Sequence, residues 1–131
     1  MQNRIDQSGK SKNSDFMTTI LCIDDNKTAL YARKLVLASA GYSVLATEDA
    51  ETAMRLFSRY SVDIVLCDYL LQGKTGTELA AEMKKLKPNV PVVILSGLSD
   101  IPDAEHVDLF LTKGESPTVV LQKLSELLAQ R

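Results

Sequence analysis

Five short apolar runs, separated by stretches of helical period, constrain this chain more than any other feature. The runs are Thr19–Ile23, Ser43–Thr47, Asp63–Cys67, Val92–Leu95 and Asp108–Thr112. Each is rich in Val, Ile, Leu or Phe and too short for a helix, so each reads as a strand. Between and after them the apolar residues recur near every 3.6 positions. Lys27 to about Ala40 carries Ala29, Leu30, Val36, Leu37 and Ala40, with Gly41 as a stop signal. A second segment carries Ala50, Ala53, Met54 and Phe57. A third carries Leu79, Met83 and Leu86, opens on the capping-box spacing Thr75-x-x-Glu78 and ends before Pro88. The last opens on Ser116-Pro117 and carries Val120, Leu124, Leu127 and Leu128. The crossover from Gly97 to Val107 holds Pro102 and few apolar residues, so it has room for one or two helical turns. Alternation of this kind predicts an α/β fold, with parallel strands, right-handed crossovers and helices on both sheet faces. The central runs are continuously apolar, as strands buried on both faces must be.

The length of 131 residues fits one domain, and 45% hydrophobic content is enough for a core. Met1 to about Met17 is polar and aperiodic and reads as a disordered tail, leaving 18–131 as the folded domain. Fifteen basic residues stand against 17 acidic ones, a net charge of −2. This gives no basic stripe for nucleic acid and no polybasic membrane patch. No apolar run approaches membrane-span length, and the start has no export-signal character, so a cytoplasmic location is expected. Cys22 and Cys67 each lie inside an apolar run and read as buried small hydrophobes in a reduced compartment. A disulfide or metal pair is the weaker alternative, with no CxxC spacing and no neighbouring His to support it.

In a parallel sheet, functional groups gather just past the carboxyl ends of the strands. Those points hold Asp24 and Asp25, then Asp68, then Ser96, then Lys113. Singly, each has a bland explanation: a helix cap, a turn, a solvated lysine. Together they place three carboxylates, a hydroxyl and an ammonium at one end of the sheet. Carboxylates so close repel one another and call for a cation, and Mg²⁺ suits oxygen ligands that leave room for water and phosphate. A carboxylate can also attack a phosphoryl group and form an acyl phosphate. The reading is therefore Asp68 as phosphoacceptor, Asp25 as direct metal ligand and Asp24 as ligand through water. Asp68 itself and the backbone carbonyl of Leu70 complete the metal set. Lys113 would stabilise charge on the transferring oxygens, and Ser96 would hydrogen-bond the new phosphoryl group.

Asp24-Asp25 after strand one, Asp68 after strand three, Gly76 eight residues on, Ser96-Gly97 after strand four and Phe110-x-x-Lys113 through strand five resemble the response-regulator receiver family. The resemblance runs from Thr18 to about Leu128. It implies a flavodoxin-like doubly wound sheet of five parallel strands, order 2-1-3-4-5. It also implies a phosphodonor that is a phosphohistidine on a sensor histidine kinase or phosphotransfer domain. Phosphorylation would shift an equilibrium between two shapes, with Ser96 and Phe110 as the coupled switch positions.

Departures from the family pattern carry expectations of their own. Gln72 stands where the family usually has proline. Gly114 follows Lys113 where proline with a cis bond is usual. A cis bond without proline costs about 3 kcal/mol, so a trans bond is expected. The segment from Ser96 to Lys113 is several residues short, which removes most of the fourth helix and part of the usual output face. Leu70 and Leu98 occupy two positions that tune phosphoryl lifetime in the family; apolar groups there position water poorly, so slow self-dephosphorylation is expected. Beyond this self-catalysed chemistry no enzyme activity is expected.

Other classes fit less well. A haloacid-dehalogenase-type phosphatase needs a second Asp where Asn26 stands. A flavodoxin-type electron carrier needs a phosphate loop where the chain reads Asp-Asp-Asn-Lys-Thr. A degenerate receiver acting as a docking module is the alternative function. His106 reads as a surface residue. Only Ala129-Gln130-Arg131 follow the last helix, so a stand-alone module is expected. Its output would run through a downstream protein or onward phosphotransfer, with no direct nucleic-acid contact, no membrane insertion, and homodimerisation left open.

Overall fold

The computed structural model describes residues 17–98 and 104–131. The polar tail and residues 99–103 of the short crossover lie outside the described residues. In chain order the elements are β1 (Thr19–Ile23), α1 (Lys27–Ser39), β2 (Ser43–Thr47), α2 (Ala50–Arg59), β3 (Ile64–Asp68), β4 (Leu70–Leu71), β5 (Lys74–Thr75), α3 (Gly76–Leu86), β6 (Val92–Ser96), β7 (Leu109–Thr112) and α4 (Pro117–Ala129). Ala104–His106 form one 3₁₀ turn before β7.

Five strands pair in parallel in the order β2-β1-β3-β6-β7, the expected 2-1-3-4-5 once the small β4–β5 ribbon is set aside. The third strand lies one residue later than its apolar run, so Asp68 is its final residue. The ribbon, an antiparallel pair of two-residue strands, was not expected. Its turn holds Gly73 at φ +78, a conformation that favours glycine. Gly41, at φ +99, ends α1 in the same way.

Helix starts follow local chemistry. Asn26, Asp49 and Ser116 each accept a backbone N–H of the first turn. Thr75 and Glu78 form the reciprocal capping box at α3. Two apolar clusters fill the two faces of the sheet. One holds Leu21, Ile23, Phe57, Val65, Cys67, Leu79, Met83 and Ile94, under α2 and α3. The other holds Ile20, Cys22, Leu30, Leu37, Leu66, Val93, Leu111 and Leu124, under α1 and α4. Both cysteines are buried and free, and they fall in opposite clusters. Leu86 and Ala40 depart from the faces read for them. Both are exposed at helix ends, and Ala80 takes the inward place on α3. At the amino end of the sheet, Asp108 Oδ2 accepts from Lys84 Nζ at 2.7 Å and from the Val92 N–H at 2.7 Å, tying α3, β6 and β7 together. Among the described residues no helix is long and apolar enough to cross a membrane.

Candidate functional site

The carboxyl ends of β1, β3, β6 and β7 deliver the site, because parallel strands all end on the same side. The Asp24 N–H extends the β1–β2 ladder by donating to the Thr47 carbonyl, at 3.2 Å. The chain then turns sharply, since Asp24 Oδ1 accepts the Asn26 N–H at 2.9 Å and Asn26 caps α1. This leaves Asp24 fully buried and Asp25 exposed at the rim. Asp68 ends the most buried strand. The Tyr69 N–H donates to the Leu95 carbonyl at 2.8 Å, which fixes the acceptor strand against β6.

Asp24, Asp25 and Asp68 each offer a carboxylate oxygen within 4.8 Å of the others. Burial pushes the Asp68 carboxyl up from its ordinary value, with Asp24 and Asp25 adding to the rise and Lys113 opposing it. The donor set is all oxygen and partly buried, and it fits a hard divalent cation such as Mg²⁺. Leu70, whose carbonyl was assigned to the metal set, lies two residues past Asp68 with its side chain exposed.

Lys113 comes from the far edge of the sheet. Its N–H donates to the Ser96 carbonyl at 2.9 Å, and its Nζ reaches across the end of β6 to Asp68 Oδ1 at 2.8 Å. The ammonium is half-exposed, so the pair is accessible to an incoming anion. No cis peptide occurs among the described residues, so the Lys113–Gly114 bond is trans. Ser96 is buried, and its Oγ accepts the Leu98 N–H at 2.9 Å. The hydroxyl keeps its own hydrogen to donate. Phe110 lies lower on β7, opposite Ile94, and packs half-buried against the α2–α3 cluster. His106 is exposed beside Glu105, apart from the site.

Gly76 begins α3 directly over the acceptor. Its N–H donates to the Tyr69 carbonyl at 2.6 Å, and a Cβ built on it would lie 2.5 Å from the Asp68 carbonyl oxygen. One charged contact was missed in the sequence: Arg33 Nη1 donates to Asp24 Oδ2 at 2.9 Å. The signal was present, since Leu30, Arg33 and Leu37 share one stripe of α1 and a charge on an inward stripe implies a buried partner.

A model of the response regulator receiver domain matches residues 20–124. The transcriptional regulatory protein GlrR of Escherichia coli K12 is 34% identical over 116 residues, covering 85% of this chain and 26% of that protein. The chain thus spans about a quarter of that relative's length. A putative response regulator from Chloroflexus aurantiacus superposes with a TM-score of 0.80 at 28% identity, covering 86% of this chain and 98% of the other. The response regulator TrrA of Thermotoga maritima, solved in complex with Mg(2+)-BeF, gives a TM-score of 0.80 at 25% identity, covering 85% of this chain and 99% of the other.

Proposed function

The chain belongs to the response regulator receiver family of two-component signalling, and from that premise we propose that it is a phosphoacceptor module in which Asp68 takes a phosphoryl group from a phosphohistidine. The observation that carries this reading is the pairing of Lys113 Nζ with Asp68 Oδ1 at 2.8 Å beside two further carboxylates. The donor would be a sensor histidine kinase or a phosphotransfer domain. An Asp68 oxygen attacks phosphorus, the P–N bond breaks, and its electron pair returns to the imidazole of the donor.

Each side chain has a part in that displacement. Lys113 holds the acceptor oxygen before transfer and neutralises charge on the phosphoryl oxygens after it. Ser96 donates its free hydroxyl hydrogen to the product. Asp24, Asp25, Asp68 and the Leu70 carbonyl would hold Mg²⁺, which supplies positive charge against the transferring oxygens. TrrA, which carries Mg(2+)-BeF, supports that assignment by likeness. Ser96 and Phe110 are the switch positions, and a changed surface binds a downstream protein. The protein acts on no other substrate; its catalysis is confined to its own acyl phosphate. Two buried free thiols are in keeping with a reducing, cytoplasmic setting.

The test is the intact mass after incubation with acetyl phosphate and Mg²⁺, beside Asp68→Asn and an EDTA control. A gain of one phosphoryl group, lost in both controls, is expected. No gain with acetyl phosphate or a panel of kinases would overturn the reading in favour of a phosphorylation-independent docking module.

A further inference from the structure

Asp24 already has a cation. The Arg33 guanidinium rises from the inward stripe of α1, between Leu30 and Leu37, to meet Asp24 Oδ2 at 2.9 Å. Asp24 is completely buried and the Arg33 side chain is only 19% exposed. A charge so placed is costly unless paired, and each group is the other's compensation. The second oxygen, Oδ1, is held by the Asn26 N–H. Both oxygens of one carboxylate in the acidic cluster are therefore engaged, and one of them faces a full positive charge.

The surroundings leave the guanidinium an alternative. Arg33 also lines a cleft of about 240 Å³ between α1 and the β7–α4 junction, walled by Val36, Pro117 and Val120 and lined too by Lys113 and Glu115. An arginine displaced from Asp24 has space there and a carboxylate on the same wall.

We propose that Arg33 is a built-in counter-ion of the acidic site. It carries the charge of Asp24 while no divalent ion is bound, and a divalent ion binds in competition with it. This rests on the metal-binding reading above. The three carboxylates alone would attract a divalent cation more strongly than this protein does, and Arg33 sets the difference. It is a positioning residue, since it acts through Asp24.

The experiment is a Mn²⁺ titration followed by the electron paramagnetic resonance of the free ion, with Mg²⁺ as competitor, on wild type, Arg33→Met and Arg33→Lys. Removing one positive charge from within about 8 Å of a divalent ion, screened as in water, tightens binding roughly five- to tenfold. That gain is expected in Arg33→Met, with Arg33→Lys nearer to wild type. Thermal melts give a second readout. Without metal, Arg33→Met melts below wild type because Asp24 is left buried and unpaired; at saturating Mg²⁺ most of the deficit disappears. A purely structural arginine would leave the same deficit at every Mg²⁺ concentration, and that result overturns the proposal. Unchanged or weaker Mn²⁺ binding in Arg33→Met overturns it as well. If the variant is unfolded without metal, refolding on addition of Mg²⁺ supports the proposal and failure to refold overturns it. Absence of Mn²⁺ binding in wild type and variant alike would overturn the metal-site reading itself, and the proposal with it.

Discussion

Replacing Gly76 with alanine adds one methyl group at the most confined of the described glycines. The new Cβ would lie 2.5 Å from the Asp68 carbonyl oxygen, 3.0 Å from Ile94 Cδ1 and 3.2 Å from Tyr69 Cα. Cβ contacts below 3.0 Å are essentially never seen, and two of these three neighbours are backbone atoms that cannot rotate away. The start of α3 must therefore move from β3 by about half an ångström or more, stretching the Gly76 N–H bond to the Tyr69 carbonyl. Overpacking of this kind costs about 1–3 kcal/mol. Weakening a buried hydrogen bond adds about 1 kcal/mol. Alanine's advantage over glycine returns about 0.5–1 kcal/mol. The net is a destabilisation of about 2 kcal/mol, which for a urea m-value of roughly 2 kcal/mol/M lowers the midpoint by about 1 M. Far-UV circular dichroism against urea measures it. Gly97→Ala is the control: its Cβ meets nothing within 4 Å, and its effect should stay within about 0.5 kcal/mol. A Gly76→Ala midpoint no lower than that of Gly97→Ala would refute the steric argument.

Three further outcomes are expected. Asp68 has its folded pKa raised by burial, so its contribution to stability is present below the unfolded pKa and is lost as pH rises through the folded value. Asp68→Asn, neutral throughout, should then have the higher urea midpoint in metal-free buffer at pH 7, and the gap should close toward pH 4; a lower midpoint at pH 7 would count against the assignment. Leu70→Asn should shorten the phosphoryl lifetime on Asp68, because the exposed Leu70 offers attacking water no polar partner; decay of the phosphorylated mass with time measures it, and an unchanged half-life would sink the idea. Burial pushes the Cys22 thiol up to about 11 and raises Cys67 further, so an alkylating reagent at pH 8 should label neither in the folded protein and both in urea.

Among the described residues the five main strands and four α-helices were legible because each signal was local: apolar runs, the Ser116-Pro117 start, the Thr75–Glu78 box, Gly41 as a stop. The site was legible because parallel topology turns strand ends into neighbours, so Asp24, Asp68, Ser96 and Lys113 could be grouped without coordinates. Two features were not. The β4–β5 ribbon has two residues per strand, too few for any period. Arg33 was hidden because the apolar members of α1 define its inward stripe, and a lone arginine among them also suits the exposed side of a helix. The shift of β3 by one residue reflects a ladder that continues past the apolar run, with Asp68 opposite Leu95.

The site's parts lie far apart along the chain, and that fixes the order in which they can meet during synthesis. Asp24, Asp25 and Asp68 are all present once β3 has emerged, but Lys113 is not. At about 5–20 residues per second, the stretch from Asp68 to Lys113 takes roughly two to nine seconds to make. Through that interval a newly gathered acid cluster lacks its lysine, whereas Arg33, nine positions from Asp24, has been available from the start. A nascent chain therefore cannot form the Lys113–Asp68 pair before β7 has joined the sheet.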